Sequence, residues 1–344
     1  MKTRVLICEA SQPYAAALQR MLEHDGGASV VGVCATAEQA IAALPRLRPD
    51  LITMDLALPW NTGLAAAEQI MSTHPLPILV ISDQVGPGDQ KVAAALAAGV
   101  LQVISKQTLD LSDPAGPAGA AFRHRVEVLS HARVLRHLRA SLRGTALSRQ
   151  AGRGASVIGI CGSTGAPDVL SRVLGKLPGD YPIPVLVVQH ISPGFTDGLA
   201  SWLGHSMRLP VAIAADDMRA SPGAWIAPTD AHLKLSASWR LRLDRRTVAG
   251  PHRPSGDVLF ESIAAVAGSA AAVIVLSGMG NDGAQGAAAV RRGGGLALAQ
   301  DRASSAVSGM PQAAIDHGAD LELSPDEIAA FLISMRYQAP AGKP

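Results

Sequence analysis

The sequence predicts two doubly wound, parallel-sheet α/β domains in series, joined by a linker helix. Three observations predict this. Short apolar runs rich in β-branched residues alternate with stretches of helical length, which is the pattern of βαβ units. At 344 residues the chain exceeds one ordinary core. The polar residues that stand out fall at the carboxyl ends of the predicted strands, the edge where open α/β sheets carry their chemistry.

In the first half, Thr3 to Cys8 reads as a strand, followed by Glu9 and a helix to about His24. A strand over 29–33 and a helix over 37–47 follow. Leu51-Ile52-Thr53-Met54 is a strand ending on Asp55, and Pro59 and Gly63 form the loop before a helix over 64–72. A fourth strand, 77–81, ends on Ser82, and a helix covers 90–98. The fifth strand, from Gln102, ends on Lys106.

A carboxylate, a hydroxyl and a lysine at one sheet edge suit phosphoryl acceptance: Asp55 would take the group, and Ser82 and Lys106 would pair with its oxygens. Singly they read as a loop acid, a cap and a surface cation. Together, over 2–107, they resemble the receiver domain of bacterial response regulators, a flavodoxin-type fold. The resemblance implies Mg²⁺ as cofactor and a chemotaxis histidine kinase as phosphoryl donor. Receivers place two acids after the first strand to hold the cation; here Glu9 is followed by Ala10, which offers no side-chain oxygen.

Residues 111–154 read as a linker. It has a turn-rich start (112–119) and an amphipathic basic helix from Phe122 to Leu142. Without a helix-turn-helix pattern, that helix reads as a packed connector rather than a nucleic-acid reader. A net charge of +2 adds no field that would recruit nucleic acid. The three cysteines lack metal-ligand spacing, and Cys8 and Cys161 lie inside strand-like runs. No apolar run reaches spanning length and no signal peptide is evident, so a cytoplasmic protein without membrane insertion is expected.

The second domain is expected over 155–335, with a tail over 336–344. A strand over 156–161 ends in Gly162-Ser163-Thr164-Gly165, and Pro167 opens a helix. A strand over 184–189 delivers His190, and a helix follows near 197–206. Strands at 211–213 and 224–227 precede a small antiparallel excursion around 233–235 and 241–243. Ser255-Gly256-Asp257 caps a helix to Ala267, and the strand over 272–276 leads through Gly278 and Met279 to Asp282. A helix (283–292), a strand (296–300) and a helix from about Met310 complete the reading.

A serine hydroxyl becomes a useful nucleophile when an imidazole takes its proton, and the imidazole needs an acid to fix its tautomer. Ser163, His190 and Asp282, each near a strand terminus, fit that need. His232 and His252 compete as base, and Asp257, Asp217 and Asp301 as acid; the strand-terminal position favours His190. Asp257 reads as part of a helix start.

Several motifs in order then carry a specific resemblance. They are Gly162-Ser163-Thr164-Gly165-Ala166-Pro167, Val188-Gln189-His190, Ile226-Ala227-Pro228, His252-Arg253-Pro254-Ser255 with Asp257, and Gly278-Met279-Gly280-Asn281-Asp282-Gly283. Residues 155–330 resemble the catalytic domain of the chemotaxis protein-glutamate methylesterase (CheB) family. This implies a hydrolase that demethylates glutamate methyl esters and deamidates glutamines on methylated chemoreceptors, its partners. It needs no cofactor for ester hydrolysis, and the receiver regulates it. By motif, Ser163 is the nucleophile, His190 the general base and acid and Asp282 the orienting carboxylate, with Thr164 and Met279 bordering the oxyanion site. Ala166 and Gly256 stand where the family usually has Gly and Val, and Ser308 where an aromatic is common.

Two other functions compete. Gly159, Gly162 and Gly165 after a strand could cradle a phosphate in a nucleotide-binding module, although the Gly-x-Gly-x-x-Gly fingerprint and an acid after the next strand are missing. A non-enzymatic response regulator would use the basic helix as its reader.

Overall fold

The computed structural model describes residues 2–59, 62–83, 90–132, 153–248 and 252–340. The chain divides into two compact units, Met1–Arg136 and His137–Pro344.

The first unit runs β1 (Thr3–Cys8), α1 (Gln12–Glu23), β2 (Ala28–Cys34), α2 (Ala37–Leu47), β3 (Leu51–Met54), α3 (Gly63–Thr73), β4 (Ile78–Ser82), α4 (Gln90–Ala97), β5 (Gln102–Ser105) and α5 (Pro117–Ser130). Its sheet is parallel in the order β2-β1-β3-β4-β5. β3 and β4 are buried throughout, which is why they read as continuous apolar runs. Ser11 caps α1, whose buried residues Ala15, Leu18, Met21 and Leu22 form one stripe at helical spacing.

The stretch 117–130, expected in the linker, packs instead as the fifth helix of this unit. Phe122, Val126 and Leu129 are buried, and the Arg123 guanidinium bonds Asp25 at 2.6 Å and the Pro114 carbonyl. Spacing revealed the stripe but not the surface that covers it. The compact unit thus runs past the boundary expected near 110, and the part of the predicted helix beyond 132 lies outside the described residues.

The second unit begins with β6 (Gly154–Ala155), β7 (Val157–Gly162), α6 (Ala166–Leu174), β8 (Val185–Gln189), α7 (Thr196–Ser206), β9 (Val211–Ile213) and β10 (Ala224–Ile226). The hairpin β11 (His232–Leu235) and β12 (Leu241–Asp244) follows, then α8 (Gly256–Ala267), β13 (Ala271–Val275), α9 (Ala284–Arg292) and β14 (Leu296–Gln300). It closes with α10 (Gly309–Asp316), β15 (Leu321–Leu323), α11 (Pro325–Ser334) and β16 (Arg336–Tyr337). Seven parallel strands lie in the order β15-β14-β13-β7-β8-β10-β9. Along β7, Ile158 and Ile160 join one core with Leu170, Leu174 and Ile274. Val157 and Cys161 join the other with Phe260, Ile263 and Val273, as a period of two requires.

Three elements at the end, β15, α11 and β16, escaped the sequence reading. α11 opens with a capping box, Ser324 and Glu327, a legible signal. The expected tail contributes β16, which pairs with β6, and the Ser156 hydroxyl donates to the Gln338 carbonyl at 2.6 Å. A two-residue strand has no periodicity to read. Among the described residues no helix is long and apolar enough to cross a membrane.

Candidate active site

β7 lies at the centre of its sheet, with β8 on one side and β13 on the other, so the chain reverses its winding at β7's carboxyl edge. Ligands bind at such reversal points because the flanking loops diverge there. Ser163 follows β7. Its N–H donates to the Ser277 carbonyl just past β13 (2.9 Å), and its carbonyl accepts from the Gln189 amide (2.8 Å). The same amide donates to the His190 carbonyl (3.0 Å), and the His190 N–H donates to the Gly162 carbonyl (2.9 Å). Main chain and the Gln189 amide therefore fix the positions of Ser163 and His190 relative to each other. A side chain at 278 would run into Met310 Sδ and come within 2.8 Å of Ser163 Cβ, so only glycine lets the β13–α9 loop approach. Thr164 is buried and Met279, in that loop, half-buried.

His190 Nε2 is 2.7 Å from Asp282 Oδ2. Asp282 Oδ1 accepts from the Ser255 hydroxyl (2.8 Å) and the Asp257 N–H (3.0 Å), and Oδ2 also accepts from the Gly256 N–H (2.6 Å). Burial opposes ionisation of Asp282, but the hydrogen bond and charge of His190 and the N–H groups of Gly256 and Asp257 outweigh it. They hold its carboxyl well below the usual carboxylate range. With Nε2 donating to the carboxylate, Nδ1 carries the lone pair; it is buried and has no hydrogen-bond partner, so the Ser163 hydroxyl is not bonded to it here. Such bonds commonly tighten only around substrate.

An unfolded aspartate titrates near about 3.9. Since the folded value of Asp282 lies lower, its stabilising contribution is complete above about pH 4 and is lost as pH falls through the folded value. In urea unfolding, the stability gap between wild type and Asp282→Asn should shrink as pH is lowered from about 4 to about 2.

The rival residues separate clearly. His232 is fully buried with Nε2 on the Thr247 carbonyl, and Asp217 pairs with Arg240 and Arg242. Asp301 holds Ser304. His252, set aside in the sequence reading, stacks on His190 with ring centroids 4.2 Å apart and planes within 15°. Cys161 is buried 3.8 Å from Asp282 Oδ2; burial and the charges of Asp282 and Asp257 push its thiol far up, so it is no nucleophile. A Cβ at Gly256 would overlap the Cys161 sulfur, which accounts for glycine at this position. Gly256→Ala should cost about 1–3 kcal/mol in urea unfolding, part of it recovered on adding Cys161→Ala.

In the first unit, Lys106 Nζ lies 2.7 Å from both Asp55 Oδ2 and Glu9 Oε2, with the Tyr14 ring 4.6 Å away. Burial works against its charge, but the two carboxylates prevail and raise its pKa. Asp55 Oδ1 accepts from the Ala57 N–H and Glu9 Oε1 from the Ser11 N–H. The Ser82 hydroxyl is buried without a partner and takes no part in this cluster. Among the described residues the carboxylates of Glu9, Asp55 and, at 3.9 Å, the exposed Asp83 lie around Lys106 Nζ, and Lys106 bridges the first two. Ala10 adds no oxygen, so the donor set does not fit a hard cation wanting about six oxygens.

Comparison with known proteins gives the following. The profile of the CheB methylesterase family matches residues 158–332, and that of the response regulator receiver domain matches 5–112. A protein-glutamate methylesterase/protein-glutamine glutaminase of Myxococcus xanthus is 40% identical over 316 residues, covering 91% of this chain and 88% of its own. One of Anaeromyxobacter dehalogenans is 38% identical over 339 residues, covering 95% and 97%. The crystal structure of the Thermotoga maritima CheB methylesterase catalytic domain superposes with a TM-score of 0.51 at 36% identity, covering 52% of this chain and 98% of that one.

Proposed function

The chain belongs to the CheB methylesterase family, and from that premise we propose that it hydrolyses glutamate methyl esters and deamidates glutamines on chemoreceptors through Ser163, His190 and Asp282. The observation that carries this reading is the His190–Asp282 pair beside the Ser163 turn, with Nδ1 left to act as base. Ser163 attacks the ester carbonyl while His190 Nδ1 takes its proton. The oxyanion forms beside the N–H groups of Thr164 and Met279, where preorganised donors contribute several kcal/mol. Collapse expels methanol, protonated by His190, and leaves an acyl-serine. A water attacks next, His190 again taking and returning the proton, to give glutamate and free Ser163. With glutamine the departing group is ammonia and the acyl-serine is the same. Asp282 holds the ring and its positive charge throughout.

Methylated receptors are the substrates on this reading, and methanol release from them, abolished in Ser163→Ala, tests it. Asp55 is the phosphoacceptor position of the receiver, facing a histidine kinase as donor. Since the donor set around it lacks one acid, uptake from acetyl phosphate with Mg²⁺ should be at least about tenfold greater in Ala10→Asp than in wild type. It should be absent from Asp55→Ala.

A further inference from the structure

α8 and α9 each present a helix start whose N–H groups lack intrahelical partners. Each start is met by a carboxylate from the other's segment. Asp282, two residues before α9, accepts from the Gly256 and Asp257 N–H groups in the first turn of α8. Asp257, in that turn, accepts from the N–H of Gly286, the third residue of α9, at 2.7 Å. α9 has no cap of its own, because its N-cap is Gly283. Asp257 is half-buried; burial and then the Asp282 charge favour its neutral form, against the Gly286 bond.

The exchange links the acid of the triad to the helix behind it. α8 grips Asp282 through two N–H groups and the Ser255 hydroxyl, and returns a carboxylate that pins the first turn of α9. We propose that Asp257 is a positioning residue for the hydrolytic reaction: its bond to Gly286 fixes the start of α9 and so holds Asp282 against His190. This rests on Asp282 being the orienting acid, and Asp257 acts only through it.

Two mild substitutions test the idea in the full chain. Asp257→Asn keeps an acceptor at the same reach without the charge. Asp257→Glu keeps the charge but moves the acceptor out by one methylene. The readouts are kcat and KM for methanol release from methylated receptor, and the rate at which a fluorophosphonate labels Ser163, both normalised to folded protein. Asp257→Asn should stay within about threefold of wild type, while Asp257→Glu loses about tenfold or more in kcat and labelling rate with KM little changed, since small misplacements of catalytic groups are costly. A wild-type Asp257→Glu overturns the proposal. So does a fall of Asp257→Asn alone, which would assign the effect to charge, a parallel fall of both variants, which the acceptor retained by Asn does not allow, or a loss that vanishes on normalisation, which would leave only stability. Ser163→Ala and Asp282→Asn run alongside; activity surviving in those would sink the triad itself, whatever Asp257 does.

Discussion

Ser163→Ala is expected to lower kcat for methanol release by on the order of 10⁴-fold or more, with KM and thermal stability close to wild type. The size follows from losing the covalent route, which leaves only the oxyanion donors and binding. Stability should hold because the hydrogen bonds of Ser163 run through its main chain. Its N–H donates to Ser277, and its carbonyl receives Gln189 and Ala166. Alanine keeps all of these. The variant should therefore still bind methylated receptor, and a pull-down of methylated receptor should be undiminished. A variant that retained more than about a tenth of kcat would place the nucleophile elsewhere.

Asp282→Asn should lower kcat by roughly 10³- to 10⁴-fold and, unlike the serine change, also destabilise the fold by about 1–3 kcal/mol. Four N–H and O–H donors converge on the carboxylate, Nε2 of His190, the Ser255 hydroxyl and the N–H groups of Gly256 and Asp257, beside the weaker Cys161 thiol. An amide offers one oxygen in place of two, so its nitrogen faces donors on one side. To satisfy that nitrogen His190 must present Nε2 as acceptor, which moves the ring proton to Nδ1. The nitrogen needed as base is then occupied, and turnover falls even where substrate binds. Methanol release and urea unfolding on the same preparation separate the two effects. A full loss of activity without loss of stability would mean that the four donors do not depend on the charge.

The alternation of strands and helices in both units was legible because buried parallel strands must be apolar throughout and their connections amphipathic. The candidate residues were legible for a related reason: Ser163 and His190 directly follow such strands and Asp282 lies in the loop after one, which places all three at the sheet edge. The fifth helix was assigned to a linker because an apolar stripe at Phe122, Val126 and Leu129 does not say which sheet covers it. β16 went unread because two residues carry no period.

From the sequence alone came the order of elements, the strand-end placement of Ser163, His190 and Asp282, and the departure at Ala10, all consequences of local pattern and residue chemistry. Tertiary structure decided what meets across distant segments: which ring nitrogen faces the acid, that Lys106 joins Glu9 to Asp55, that Cys161 fills the space above Gly256, and that Asp257 and Asp282 exchange helix starts. Those contacts depend on the angle and register at which helices pack on a sheet, and no short-range spacing along the chain encodes them.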